Sequence, residues 1–209
     1  MNNLKASLGI GFVLLVLNGV WGVSEGSSQG RFATLDNGLV RVRFDLQKGT
    51  YDLAQTKSGT VAVQGAYATL GEFSSRDPEC SRKATMGKCR DALGAGRRLT
   101  VECARAGAPT LLLEFRLYPQ QPFVALRMGV RNGTNRLLQV RRFQPLAGGK
   151  VFPRGGIYTD LRTLNDPSGS NQTQVSREPY RFSPNNLLIT FRQAGRRRSL
   201  VLGALKTHD

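Results

Sequence analysis

Alternation with a period of two is the feature that most restricts what this chain can fold into. In "GLVRVRFDL" (38–46), Val40, Val42 and Phe44 interleave with Arg41 and Arg43. Successive side chains of a strand point to opposite faces, so this stretch makes one apolar and one charged surface only if it is extended. "KGT" then turns the chain into "YDLAQ", which predicts a hairpin. "TVAVQGAYATL" adds one or two short strands. Four longer stretches follow, "RRLTVECARAG", "PTLLLEFRLYP", "PFVALRMGVRNG" and "NRLLQVRRFQPL", joined by "AGAP", "PQQP" and "NGTN". These joints are built from turn formers, and the pattern predicts an antiparallel meander.

Leu111, Leu113, Phe115 and Leu117 share one face of that meander and need a cover. Helical periodicity is nearly missing, so the cover must be a second sheet, and the expected fold is an all-β antiparallel β-sandwich. With 209 residues and 40% hydrophobic content, the chain suffices for one well-buried core. The loop-rich segment 148–186 offers short strands at "GIYTDL" and "QTQVS". A closing hairpin, "LLITFRQ" and "RSLVLGALK", turns at "AGRRR".

The start of the chain is different. "MNNLK" precedes the uncharged run "ASLGIGFVLLVLNGVWGV", which is the layout of a secretory signal. Gly22 and Ser24 fall at the minus-three and minus-one positions if cleavage precedes Glu25. An uncleaved anchor is the competing reading, because the run approaches the roughly 17 to 25 residues that span a bilayer. On the cleavage reading the protein is secreted or periplasmic and has no membrane partner afterwards. The expected division is a signal peptide at 1–24, a flexible leader at 25–36, a sandwich at 37–205 and the start of a linker at 206–209.

Export favours disulfides. Cys80 and Cys89 flank the polar "SRKATMGK" and read as the two ends of a pinned loop, while Cys103 alternates with Leu99 and Val101 and reads as a buried free thiol. No C-x-x-C spacing or nearby histidine points to zinc, and no metal or cofactor is expected.

A formal net charge of +16 makes a polyanion the first partner to consider. The arginines are spread, however: Arg41, Arg43, Arg127 and Arg131 each alternate with apolar residues, as on the solvated face of a half-buried sheet. Only Arg196 to Arg198 cluster, and a hairpin tip accounts for them as well as a binding patch does. Nucleic acid is therefore not the expected partner.

No catalytic residue is assigned. The sole histidine, His208, is next to last, where chains fray, so a serine, histidine and aspartate set is not expected. G-x-S-x-G, P-loop and H-E-x-x-H motifs are absent. Asp160, Asp166 and Glu178 are the loop acids available for paired-carboxylate chemistry, although their spacing does not say whether any two converge. For sugar binding, Tyr158, Tyr180 and Phe182 offer aromatic surfaces, with core packing as the alternative role, and Trp21 lies in the signal segment. Tyr158, Asp160 and Tyr180 are the candidate carbohydrate contacts. Asn132 and Asn171 begin sequons that matter only in a glycosylating host.

The run "LLLEFRLYPQQPFVALRMGVRNGTNRLLQVRRFQPLAGG", followed later by "SLVLGAL", resembles the N-terminal β-sandwich domain of melibiase-type α-galactosidases and related glycoside hydrolases. Phe115 to Tyr118, Pro122 to Val130 and Asn132 carry the resemblance, which extends over roughly residues 37 to 209. It implies a large two-sheet supersandwich of the galactose-mutarotase-like kind. It also implies a non-catalytic domain that packs on a (β/α)8 barrel holding the catalytic aspartates, with His208 and Asp209 in the connecting linker. A standalone carbohydrate-binding module and a basic polyanion-binding protein are the alternatives.

Overall fold

The computed structural model describes residues 27–134, 137–140, 142–153, 159–165, 186–193 and 195–203. The signal segment, "QTQVS", Tyr158, Asp166, Asn171, Glu178, Tyr180, Phe182, His208 and Asp209 lie outside them.

The fold is an all-β antiparallel sandwich, with no helix among the described residues. Its strands are β1 (Ser27–Gln29), β2 (Phe32–Asp36), β3 (Val40–Asp45), β4 (Thr50–Gln55), β5 (Val61–Leu70), β6 (Phe73–Ser74), β7 (Ser81–Asp91) and β8 (Gly94–Ala104). There follow β9 (Thr110–Leu117), β10 (Ala125–Arg131), β11 (Phe143–Ala147), β12 (Lys150–Val151), β13 (Thr159–Asn165), β14 (Asn186–Gln193) and β15 (Arg196–Gly203). The first sheet runs β1-β2-β3-β4-β5-β11, with β6 and β12 also paired to β5. The second runs β10-β9-β8-β7, and a third, smaller one runs β13-β14-β15.

Alternation explains the closure of the two large sheets. Ala33, Leu35, Val40, Val42, Phe44, Tyr51 and Leu53 point inward from the first, and Leu99, Val101, Leu111, Leu113, Phe115 and Leu117 from the second, all in one core. Phe115 wedges between the sheets, with its ring centroid 5.0 Å from that of Tyr51 and 6.3 Å from that of Phe44. Edge-to-face packing of this kind adds to the burial of the rings themselves. The Tyr51 hydroxyl donates to the Pro145 carbonyl at 2.6 Å, so its one polar atom is satisfied inside the core. Phe191 of β14 and Leu200 of β15 belong to the same core, which attaches the third sheet to the other two.

The β2–β3 and β3–β4 hairpins use one device twice. Asp36 and Asp45 each end a strand and fold a carboxylate back onto the turn that follows. Asp36 Oδ1 accepts the Gly38 amide at 2.7 Å, and Asp45 Oδ1 accepts the Gln47 and Lys48 amides, each at 3.0 Å. Their other oxygens bond Arg41 and Arg31. Both acids are buried, and this full set of partners is what makes that burial tolerable.

The β3–β4 turn is locked from outside. Gly49 has φ +65°, and a Cβ there would stand 1.6 Å from the Ser75 carbonyl oxygen and 2.6 Å from Arg82 Nε. Arg82 gathers the surrounding carbonyls: its Nε donates to Ser75 at 2.7 Å and its Nη1 to Gln47 at 3.1 Å, while Nη2 bonds Asp77.

Several expectations need correction. The leader does not stay free, because Phe32–Asp36 is strand β2, with Ala33 and Leu35 fully buried. The expected disulfide between Cys80 and Cys89 is absent, and all three cysteines are free. "SRKATMGK" is not a loop but most of the eleven-residue strand β7, in which Arg82, Ala84 and Met86 alternate with exposed Ser81, Lys83 and Thr85. A strand rises about 3.3 Å per residue, which puts the two thiols far beyond the roughly 7 Å between Cα atoms that a disulfide tolerates. Cys103 is the buried free thiol expected, and burial pushes it up to about 12.

"ALGAG" is not a breaker either. Ala92 and Leu93 form the turn, and Gly94–Gly96 enter β8, where Gly96 lies too close to the Leu117 carbonyl and the Tyr118 ring for a Cβ. The meander has four strands, but β7 is its fourth member. The described part of "NRLLQVRRFQPL" contributes β11, which crosses to pair with β5 in the first sheet. Arg196 to Arg198 begin β15 rather than forming the hairpin tip.

Gly49→Ala is expected to destabilise the protein by about 2 to 4 kcal/mol, because the left-handed backbone and the Ser75 carbonyl both resist a side chain. Urea unfolding followed by fluorescence measures this. A loss below about 1 kcal/mol would mean that the turn is not held as described.

Candidate functional site: a cationic groove on the outer sheet face

The residues that point away from the core on β2 to β5 form the floor of an open groove of about 560 Å³. Phe32, Arg43, Thr50, Asp52 and Gln64 alternate with the core residues of their strands, which is why an inward-facing pattern generates an outward-facing site. Arg31 and Asp45 stand beside them. One wall is the β3–β4 turn with Gln47 and Lys48, and the other is the loop carrying Arg76 and Pro78. An irregularity in the pairing of β4 with β5 opens the floor at Gly65, whose amide donates to Asp52 Oδ1 at 2.8 Å.

Two guanidinium groups share one aromatic ring here. The guanidinium carbons of Arg31 and Arg43 lie 5.0 and 4.7 Å from the centroid of Phe32. Each is also anchored by a carboxylate: Arg31 Nη2 to Asp45 Oδ2 at 2.6 Å, and Arg43 Nη2 to Asp52 Oδ2 at 3.0 Å. Contact with a ring and with an acid fixes a side chain that would otherwise sample many rotamers. Arg76 stacks nearby on Tyr67, 4.9 Å from its centroid. Four cations (Arg31, Arg43, Lys48 and Arg76) therefore face two carboxylates, and the groove is net positive.

The electrostatics of Asp45 follow from its partners. Burial alone would raise its pKa. The Arg31 hydrogen bond, the Lys48 and Gln47 amides and the Arg31 charge together outweigh burial and hold it below the usual carboxylate value. Asp91, across the molecule, behaves alike: burial opposes ionisation, and bonds from Tyr118 and Arg116, each 2.5 Å long, overcome it.

Of the candidate carbohydrate contacts, only Asp160 is described. It lies in β13 at a break in the pairing with β14, and its Oδ2 is 2.5 Å from Arg197 Nη2 and 3.9 Å from Arg192 Nε. Arg197 of the clustered arginines in β15, with Arg192 of β14, thus holds the acid that the sequence put forward for sugar. Tyr158 and Tyr180 lie outside the described residues. No group of histidine, cysteine, aspartate and glutamate able to hold a metal occurs among the described residues.

Sequence reading missed the groove. Its residues come from four strands and three connecting segments, and only the strand register brings Arg43 opposite Asp52 and Asp45 opposite Phe32. The legible part of the signal was the outward position of Arg41 and Arg43 on an otherwise apolar strand.

No protein-family model matches this chain, and neither does any curated protein or solved structure.

Because the native state depresses the pKa of Asp45 and Asp91, the unfolded state binds protons first on acidification. Their contribution is complete above the unfolded aspartate value of about 3.9 and fades as pH falls through the lower native values. The urea midpoint is expected to drop steeply below about pH 4, and Asp45→Asn to shrink that drop while lowering the midpoint at pH 7. Parallel pH profiles for the two proteins would contradict the assignment.

Proposed function

We propose that this chain is the non-catalytic β-sandwich domain of an exported, α-galactosidase-like glycoside hydrolase, and that it packs beside a (β/α)8 barrel and helps shape the barrel's sugar site. The resemblance of residues 111–149 to the sandwich of that enzyme group supports this reading, as does the all-β sandwich itself. The signal-like segment at 1–24 supports export to a secreted or periplasmic location.

One observation carries the non-catalytic part. Glycoside hydrolysis by paired carboxylates needs one acid that retains its proton near neutral pH while its neighbour is ionised. The two acids that share the groove are committed elsewhere. Asp45 is held ionised by Arg31 and its own turn, and Asp52 bonds Arg43 and the Gly65 amide. Asp160, beside Arg197, is in an ion pair as well. These are acids spent on architecture.

A second reading, a saccharide-binding module that acts by itself, is favoured by the groove, whose size falls in the range of about 300 to 1,000 Å³ usual for small-ligand sites. Purified chain incubated with an aryl α-galactoside is expected to release no more phenol than buffer does. Turnover that disappears in Asp45→Asn, Asp52→Asn or Asp160→Asn would overturn the non-catalytic reading.

A further inference from the structure

We propose that the groove between the outer face of β2 to β5 and the Arg76–Pro78 loop binds a short saccharide carrying an anionic group, with Arg43 and Arg76 receiving the anion and Thr50 and Gln64 facing the hydroxyls. This goes beyond the accessory-domain reading and does not depend on it.

Charge supplies the first argument. Lys48 and Arg76 make no ion pair among the described residues, so the groove keeps two positive charges after Arg31 and Arg43 are matched by Asp45 and Asp52. An anion entering the groove meets cations already in place. Arg31 spends Nε and Nη2 on Asp45, whereas Arg43 spends only Nη2 on Asp52. Arg43 thus keeps Nε, Nη1 and the second N–H of Nη2, which leaves one edge of the guanidinium open for a bidentate contact to a carboxylate or sulfate, and its contact with Phe32 fixes its plane beforehand.

The nature of the lining selects among anions. A single-stranded nucleic acid needs open aromatic faces on which bases stack. The groove's ring, Phe32, already contacts two guanidinium groups, and Tyr67 contacts Arg76. Asp45 and Asp52 would also repel a run of phosphates while accepting hydrogen bonds from hydroxyl groups. A lining of arginine, carboxylate, amide and threonine hydroxyl suits a molecule with many hydroxyls and few charges. An acidic sugar, uronate or sulfate ester, has that chemistry.

Titration calorimetry of the full chain with digalacturonate, a sulfated galactose disaccharide and neutral galactobiose tests this. The acidic disaccharides are expected to bind at least about tenfold more tightly than galactobiose, with an affinity that weakens as salt rises. Arg76→Ala and Lys48→Ala, whose side chains hold no ion pair among the described residues, are expected to lower that affinity about tenfold with unchanged unfolding curves. Arg43→Ala is expected to abolish it, and Arg196→Ala, at the exposed start of β15 and not among the groove's lining residues, to leave it intact. Preference for the uronate or for the sulfate tells which anion the fork takes, and either supports the site. Equal binding of neutral and acidic disaccharides, binding of neither, or an equal loss in Arg196→Ala would overturn it. So would tight binding of oligonucleotide that ignores Arg76→Ala. Turnover of an aryl galactoside would leave this result untouched, so the two proposals fail separately.

Discussion

Everything in this molecule depends on two sheets closing face to face over Phe44, Tyr51 and Phe115. Each sheet has one apolar surface that water disfavours, and neither can be stable with that surface exposed. The edge-to-face contact of Tyr51 and Phe115 sits where the surfaces meet, and the hydroxyl of Tyr51 reaches the Pro145 carbonyl in the middle of β11. Asn37, in the turn after β2, latches the far end by donating to the carbonyls of Tyr118 and Gln121 in the turn after β9. Closure then dictates the outside. With a period of two, every residue not used in the core is aimed at solvent, and the groove is the outer image of the core's pattern.

Arginine is the second theme. A chain of net charge +16 invites a polyanion reading, yet much of that charge has an internal occupation. Arg41 and Arg31 neutralise the buried turn acids Asp36 and Asp45, Arg82 collects loop carbonyls, and Arg116 holds Asp91 and Glu114 on the second sheet. Exposed pairs of this kind contribute little stability individually, whereas the buried carboxylates they serve would be costly without them. The same geometry that makes Asp45 a structural acid leaves the groove with surplus positive charge at Lys48 and Arg76.

The strands with strong alternation were legible in the sequence. β3, β4, β9, β10 and the β14–β15 hairpin follow from apolar residues at every second position, and the sandwich follows from the need to cover them. What was not legible had weak or misleading signals. β2 uses alanine for one of its inward positions, and its glycine- and serine-rich approach resembles a leader. β7 is an edge strand whose inward residues are Arg82, Ala84 and Met86, so it reads as polar. Lysines at outward positions suit an edge, because they discourage pairing with another chain. Strand β11 could not be placed from sequence, since nothing local tells a strand to leave its meander and pair with β5. The groove needed the register itself.

The most direct test of the central claim is a nuclear Overhauser spectrum of protein labelled at phenylalanine and tyrosine. Ring centroids 5.0 Å apart put protons of Tyr51 and Phe115 in cross-relaxation range, and the account predicts strong ring-to-ring cross-peaks between them, with weaker ones from Phe115 to Phe44. Cross-peaks absent from both pairs in a folded, well-dispersed spectrum would mean that the sheets do not close over Phe115. The groove's floor would then have no fixed geometry.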